Sequence, residues 1–387
     1  MKKKIAILGS TGSIGKTVLD IISKDKKNFE VELLTANTNY KLLFKQALKF
    51  KVKKVILTDK KSFEKNRYIF LKKKIQILNN FNNIKKIIPK KLDYTMSSIV
   101  GIDGLYPTIS LISISKKIAI ANKETIICAW NLIKNQLKKY NTTFIPVDSE
   151  HFSIWYSIKD KKKSNIEKIY LTASGGPLLN INKKQFKNLR INQITNHPNW
   201  SMGRKISVDS STLMNKVLEV IEAKKIFKLR FNQISILIHP KSYLHALVKF
   251  NDGIIKLIAH DTTMQIPIFN TIYESGEKIL KSDKINIYNL NNLNLKKVNV
   301  KKFPLVNILK SLPPEDSLFE TILVSANDEL VKLFLNKKIS FLDISKILLK
   351  VIFSKEFRKY KSLRPKNVNE IVKLNKYVRL KINSMCI

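Results

Sequence analysis

The chain has 387 residues and 44% hydrophobic content, enough for two or three domains with buried cores at about 100 to 200 residues each. Its formal charge of +43, from 72 basic and 29 acidic residues, would draw nucleic acid, an anionic membrane or acidic substrates alike. Arg stands at only seven positions, and the Lys residues scatter over every segment among Asn and Ile, the residues of A/T-rich codons. Without an Arg-aromatic patch to read or stack bases, this argues against a specific nucleic-acid partner and for a basic surface that attracts anionic metabolites. No apolar run approaches the ~20 residues of a membrane span, and the run after "MKKK" is too short for a signal peptide. Cys128 and Cys386 lie too far apart in sequence to imply a disulfide framework or thiolate cluster. The expectation is a soluble, cytoplasmic protein without a membrane partner.

"KIAILG" (4–9) reads as a strand that runs into "GSTGSIGKTVLDII", with Gly9, Gly12 and Gly15 at the strand end and helix start. Glycines there let the backbone turn tightly and approach a pyrophosphate at the positive end of the helix. The spacing is G-x-x-G-x-x-G, and its place in the first βα unit makes it a dinucleotide-site candidate. "EVELLTA" (30–36), "KVILTD" (54–59), "SSIVG" (97–101), "KIAIA" (117–121) and "TTFIPVD" (142–148) follow as strands, with helical segments between most of them. That order predicts a Rossmann-like, doubly wound parallel sheet over residues 1–149. The second strand ends in Thr35 to Lys41 without the acid that holds an NAD ribose, which favours NADP, with Lys41 as a candidate for its extra phosphate.

In "FIPVDSEHF" (144–152), Asp148 and Glu150 are two apart, and on a strand they point the same way. Like charges that converge are tolerable when they share a proton or a cation, and oxygen ligands without Cys or clustered His select Mg²⁺ or Mn²⁺. The plainer alternative is a helix N-cap plus a surface acid, with His151 fixing the strand end. From 166, "KIYLTASGG", "ISILIHP", "HALVKF" and "GIIKLIAH" indicate a central α+β domain over residues 150–284. Within it "SSTLMNKVLEVIEAKKIF" follows a Ser-rich turn suited to anion capture and sets Asn215 and Glu219 on one helix face, so Glu219 is a candidate third ligand.

In "HPNWSMG" (197–203), Pro198, Asn199, Ser201 and Gly203 resist regular structure, while Trp200 and Met202 offer apolar faces. The pattern suits a lid that closes over a ligand. His239 and His245 read as core or supporting histidines. Residues 285–302, rich in Asn and Lys, form a linker with room for a short strand, and 303–387 carry the three and four spacing of a small α-helical domain.

"GSTGSIG", "ANKE" (121–124), "PVDSEH" (146–151), "SGGP" (174–177), "HPNWSMGRKISVDSSTLMNK" (197–216) and "LIHP" (237–240) occur in the order and spacing of the 1-deoxy-D-xylulose 5-phosphate reductoisomerase family. The chain resembles that family over nearly its whole length. The resemblance implies a homodimeric α/β enzyme that uses NADPH and Mg²⁺ or Mn²⁺, with Co²⁺ as a further option. Its small phosphorylated sugar substrate, 1-deoxy-D-xylulose 5-phosphate, would be rearranged and reduced to 2-C-methyl-D-erythritol 4-phosphate for isoprenoid precursors.

Carried over position by position, the resemblance implies that Asp148, Glu150 and Glu219 bind the metal and, with Lys123, form the catalytic set. Lys123, Ser149, Glu150 and Glu219 would contact the substrate, and Ser174, His197, Ser210, Asn215 and Lys216 would hold it by its phosphate end. Thr11, Gly12, Ser13, Ile14, Asn37, Thr38, Asn39, Asn122, Glu124 and Gly203 would bind the cofactor, under a lid that includes Trp200 and Met202. Three stretches depart from the family pattern: Ala36-Asn37-Thr38-Asn39 for Ala-Gly-x-Asn, Thr262-Thr263-Met264-Gln265 for Pro-Asp-Met-Arg, and Val324-Ser325-Ala326-Asn327-Asp328 for Asn-Ala-Ala-Asn-Glu. The alternative enzyme, an NADP-linked dehydrogenase without isomerisation, has no need of three carboxylates.

Overall fold

The computed structural model describes residues 1–159, 165–200, 202–273 and 278–386. The chain divides into two compact units, one of Met1–Ile126, Asn131–Asp148 and Met264–Leu280, the other of Ile127–Trp130, Ser149–Thr263 and Lys281–Ile387.

The first unit is built on strands β1 (Lys3–Leu8), β2 (Phe29–Ala36), β3 (Lys54–Leu57), β4 (Gln76–Leu78), β5 (Leu92–Ser97), β6 (Ser115–Ile120) and β7 (Thr143–Pro146). They form one sheet in the order β4-β3-β2-β1-β5-β6-β7, every neighbouring pair parallel. This is the doubly wound sheet expected from the alternation of strand and helix patterns. Because both faces of a parallel sheet are covered, its strands read as unbroken apolar runs; Ile5, Ala6, Ile7 and Leu8 are completely buried. The winding reverses between β1 and β5, and a crevice for a ligand opens at the carboxyl ends of strands at such a switch point.

The glycine-rich loop lies at that end of β1 and leads into the helix Ser13–Ser23, which buries Val18, Leu19, Ile21 and Ile22. Gly9 has φ +80°, and a Cβ on Gly15 would stand 2.4 Å from the Gly9 carbonyl oxygen and 2.5 Å from Ser10 Cα. Only hydrogen fits at 15, so this glycine lets the helix approach its own strand. The helix Gln265–Ile272 packs against Ser13–Ser23, and Tyr94 Oη bonds Thr271 Oγ1 at 2.7 Å. The segment 264–280 thus returns to the first unit.

Three local expectations are corrected here. The strand at 97–101 lies earlier, at Leu92–Ser97, where Leu92, Tyr94 and Met96 are buried; Val100 in the following loop is 69% exposed. The apolar pair Ile99-Val100 drew the reading past the true strand, whose polar Asp93 and Thr95 disguise it. The three-residue strand β4 is too short to leave a pattern. The strand at 142–148 stops at Pro146, and Ser149–Ser157 is a helix. Asp148 and Glu150 therefore do not share a strand face; one precedes the helix and the other lies in its first turn.

The second unit carries β8 (Ile166–Ala173), β9 (Ile234–Ile238), β10 (Leu244–Phe250), β11 (Ile255–Ala259) and β12 (Lys296–Lys297), in the order β11-β10-β8-β9-β12. Only β8 and β9 run parallel. The strand β12 and a short helix, Ile287–Asn291, lie within the stretch read as a linker. The helix Met214–Phe227 is buried along almost its whole length. The C-terminal part is helical, with Phe319–Leu335 packed on Phe341–Ile352 and Val368–Cys386. No described helix is long and apolar enough to cross a membrane.

Gly15→Ala should destabilise the protein by about 1–3 kcal/mol, because the new methyl meets backbone that cannot move aside. Gly12→Ala, whose Cβ would lie 3.3 Å from the Gly9 carbonyl oxygen, should cost less. Chemical unfolding of both variants checks the pair, and equal, negligible losses would contradict the close approach.

Candidate active site

Glu150 stands in the first turn of the helix Ser149–Ser157, and Asn215, Lys216 and Glu219 stand on the helix Met214–Phe227. The two helices meet through charge. Lys216 Nζ donates to Glu150 Oε1 at 2.7 Å and to Glu219 Oε2 at 2.5 Å, with the Lys216 residue only 4% exposed. Asn215 Nδ2 donates to Glu219 Oε1 at 2.5 Å, the i to i+4 pair anticipated from spacing, and Ser149 Oγ donates to Glu150 Oε2 at 2.6 Å. Burial alone would lower the pKa of Lys216, but Glu150 and Glu219 outweigh it and hold the ammonium above its ordinary value.

Asp148 is bonded directly to Ser149, and Lys123 Nζ, at the start of the helix Lys123–Tyr140, lies 3.0 Å from Asp148 Oδ2. Asp148, Glu150 and Glu219 each present an oxygen, all within 4.8 Å of one another. Around an ion with ~2.1 Å bonds, adjacent oxygens stand about 3 Å apart, so a small inward movement completes a hard-ion ligand set. The residues fit Mg²⁺ or Mn²⁺: anionic oxygens, no thiolate.

His151, read as fixing a strand end, sits instead on the helix Ser149–Ser157, fully buried. Its Nε2 donates to the Glu219 carbonyl oxygen at 2.9 Å, and its Nδ1 lies 3.4 Å from Glu222 Oε2. It braces the backbone of a proposed ligand. Glu222 was missed from sequence, although its place one turn beyond Glu219 was a usable signal.

A second group surrounds His197. Its Nδ1 accepts from the backbone N–H of Asn199 at 3.2 Å and of Trp200 at 3.1 Å, so Nε2 carries the proton and donates to Ser174 Oγ at 2.9 Å. The Gly176 N–H also donates to Ser174 Oγ, at 3.0 Å. Gly176 has φ +66°, and a Cβ there would meet the Ser210 carbonyl oxygen at 2.9 Å, so the "SGGP" turn presses on the end of the helix Arg204–Ser211. Ser210 is half-buried on that helix; the stretch read as a Ser-rich turn is helical up to Ser211, and within it Ser207 and Ser211 return their hydroxyls to the carbonyls of Gly203 and Ser207. Burial, and then the charge of Lys216, push His197 down to about 4.

The segment after His197 is anchored by Asn199, whose Nδ2 donates to the Pro240 carbonyl oxygen at 2.5 Å and to Ser242 Oγ at 3.1 Å. Trp200 packs edge-on against His245, 6.0 Å between centroids at 73°. Met202 is half-buried and Gly203 exposed, while Ser201 lies outside the described residues. His239 behaves as a brace, with Nδ1 on the Leu293 carbonyl oxygen and Nε2 accepting from Tyr243 N–H at 3.1 Å.

In the first unit, Thr11, Gly12, Ser13 and Ile14 are exposed or half-buried around the N-terminus of the helix Ser13–Ser23. Asn37, Thr38 and Asn39 are exposed at the end of β2; Asn37 Nδ2 donates to Thr58 Oγ1 at 2.9 Å, and Asn39 caps the next helix through Leu42 N–H at 3.2 Å. Asn122 is buried and caps the helix Lys123–Tyr140, while its Nδ2 donates to the carbonyl oxygens of Ile99 and of Gly101, the latter at 2.7 Å. Its amide thus shapes the loop after β5. Glu124 is buried in the same first turn.

Three sequence profiles match the chain: 1-deoxy-D-xylulose 5-phosphate reductoisomerase over residues 5–130, its C-terminal domain over 144–227, and the DXP reductoisomerase C-terminal domain over 261–381. The 1-deoxy-D-xylulose 5-phosphate reductoisomerase of Pelagibacter ubique (strain HTCC1062) is 58% identical over 387 residues, 100% of both chains. That of Sulfurihydrogenibium sp. (strain YO3AOP1) is 36% identical over 362 residues, 93% of each. Among solved structures, the Zymomonas mobilis reductoisomerase in complex with NADPH superposes with a TM-score of 0.88 at 28% identity, covering 100% of this chain and 99% of that one. A DOX-P reductoisomerase in complex with NADPH, fosmidomycin and magnesium gives 0.90 at 30% identity, covering 99% and 98%.

His197 should be neutral at pH 7 in the ligand-free protein and protonate only near pH 4. In the unfolded chain it titrates near 6.5, so the unfolded state takes up protons first as pH falls. The stability it contributes is complete above about pH 6.5 and fades between there and pH 4. Imidazole NMR titration measures this directly, and a value at or above 6.5 would refute the buried, neutral donor.

Proposed function

The chain belongs to the 1-deoxy-D-xylulose 5-phosphate reductoisomerase family, and from that premise we propose that it converts 1-deoxy-D-xylulose 5-phosphate to 2-C-methyl-D-erythritol 4-phosphate with NADPH and a divalent cation. The observation that carries this reading is the trio Asp148, Glu150 and Glu219, with oxygens within 4.8 Å of one another. Hydride transfer alone has no use for such a set, which favours the isomerising enzyme over a plain NADP-linked dehydrogenase.

Asp148, Glu150 and Glu219 hold the cation in this proposal. When bound, the cation supplies Lewis acidity at the ketone and neighbouring hydroxyl oxygens, and NADPH supplies the hydride. The carbon skeleton breaks between C3 and C4 and rejoins, so both fragments must stay anchored. Lys123 and Ser149, beside the carboxylates, orient the oxygenated end. Ser174, His197, Ser210, Asn215 and Lys216 hold the phosphate end, where the neutral His197 turns its Nε2–H from Ser174 towards a phosphate oxygen.

Thr11, Gly12, Ser13 and Ile14 offer the positive N-terminus of the helix Ser13–Ser23 to the pyrophosphate. Asn37, Thr38 and Asn39 add no negative charge that would repel a 2′-phosphate. Asn122 and Glu124 stand at the start of the helix Lys123–Tyr140, and Gly203 belongs to the cofactor set as well. Trp200 and Met202 belong to the segment that covers the substrate and keeps water out.

The protein acts as a homodimer in this reading. β11 is the edge of its sheet, where Ile255 and Leu257 are 52% and 48% exposed, and Ile254 just before it is 48% exposed. An apolar edge strand left in water invites pairing with another chain, and a second copy of this one covers it. Neither Cys128 nor Cys386 forms a disulfide among the described residues. The Lys excess serves no specific nucleic-acid partner.

Glu219→Gln should lower kcat by about 10²–10³-fold through loss of one anionic ligand, while NADPH affinity stays near that of the parent protein. Turnover assays with and without EDTA, beside NADPH titration, measure both; full activity after exhaustive chelation would end the metal role. Leu257→Glu should shift sedimentation from dimer to monomer. A parent protein that sediments as a monomer at micromolar concentration would rule out the dimer.

A further inference from the structure

The strand β10 carries one extra residue opposite β11. Leu244 pairs with Ala259 and Ala246 with Ile258, so His245 is the bulged position. Bulges re-aim a side chain. Thr172 Oγ1 fixes this one by donating to the carbonyl oxygens of Leu244, at 2.5 Å, and His245, at 3.0 Å. His260 continues β11, its N–H donating to the Tyr243 carbonyl oxygen at 3.0 Å. The bulge brings the two imidazoles face to face, 3.7 Å between centroids at 18°. Both residues are buried, 2% and 9% exposed.

The hydrogen bonds settle the tautomers. His245 Nε2 lies 3.1 Å from the His260 carbonyl oxygen and must donate its proton there. His260 Nδ1 lies 2.8 Å from the Asp261 carbonyl oxygen and likewise donates. His260 Nε2 is therefore a bare lone pair, and it is a buried atom without a hydrogen-bond partner. Burial lowers the basicity of both rings, so this nitrogen does not satisfy itself by taking a proton.

The stack belongs to the neighbourhood of the site. Trp200 sits edge-on against its other ring, the charge of Glu150 acts on His260, and that of Lys216 acts on His245. A bare lone pair is an acceptor, so its partner must be a donor. The substrate of the proposed function is a polyol whose hydroxyls are donors. Resting on that function, we propose that His260 is a specificity-determining residue whose Nε2 accepts a hydrogen bond from a hydroxyl of the bound sugar phosphate. Nε2 is buried in the present arrangement, so the hydroxyl takes the place of whatever side chain now covers it.

The test compares the parent protein with His260→Phe, which keeps the stack but has no acceptor, and His260→Gln, which keeps an acceptor. Substrate affinity is read by calorimetry in the NADPH complex and as KM, with NADPH affinity and Tm as controls. His260→Phe should weaken substrate binding about ten- to hundredfold with NADPH affinity unchanged, and His260→Gln should stay within about threefold of the parent. Substrate analogues deoxygenated at C3 or C4 should include one that the parent and the Phe variant bind equally. Unchanged substrate affinity in His260→Phe, equal losses in the Phe and Gln variants, or the same Phe penalty for both deoxy analogues would overturn the proposal. A parent protein that does not convert 1-deoxy-D-xylulose 5-phosphate overturns the proposed function instead, so the two failures are separable.

Discussion

A buried ammonium, Lys216 Nζ, lies between Glu150 and Glu219, and the arrangement of the second unit's site depends on it. Two carboxylates brought together out of water repel strongly, and a lone ammonium there would be as costly. Together they hold. The ion cluster joins the helices Ser149–Ser157 and Met214–Phe227, which come from distant parts of the chain, and His151 adds a second clamp through the Glu219 carbonyl oxygen. Because Asn215 shares the face of Glu219, the constraint that sets the acids also sets a residue assigned to the phosphate end.

The charge distribution acquires sense from that cluster. With 29 acids against 72 bases, the chain is a positive field in which a few carboxylates are gathered where they can hold a cation. In the proposed function, phosphate groups of substrate and cofactor meet that field and the cation meets the exception. His197 shows the same economy on a smaller scale: burial and Lys216 keep it neutral, so it offers a directed N–H without a charge that would need to be balanced whenever the site is empty of anions.

The parallel sheet was legible because buried strands leave unbroken apolar runs, as in "KIAIL" and "KIAI". Where polar residues alternate inside a covered strand, as Asp93 and Thr95 do in Leu92–Ser97, the run was lost and the strand was read five residues late. The convergence of Asp148 and Glu150 was expected for the wrong local reason. A strand would have aligned them by its period of two, whereas the chain leaves β7 at Pro146 and turns into a helix, and the two acids approach across that junction. The serines near 210, expected in a turn, lie in a helix, where Ser207 and Ser211 satisfy their hydroxyls on carbonyls one turn back.

The sequence by itself determined whatever depends on near neighbours: the glycine-lined turn after the first strand, the shared face of Asn215 and Glu219, the order of strands and helices, and the motif order that marks the family. Tertiary structure alone decided that Glu150 and Glu219 share one ammonium, that His197 donates to Ser174, and that a bulge stacks His245 on His260. Local spacing follows from the fixed rise and turn of helices and strands, so it can be read along the chain. Contacts between residues dozens of positions apart follow from how whole faces pack, and no short stretch of sequence carries that information alone.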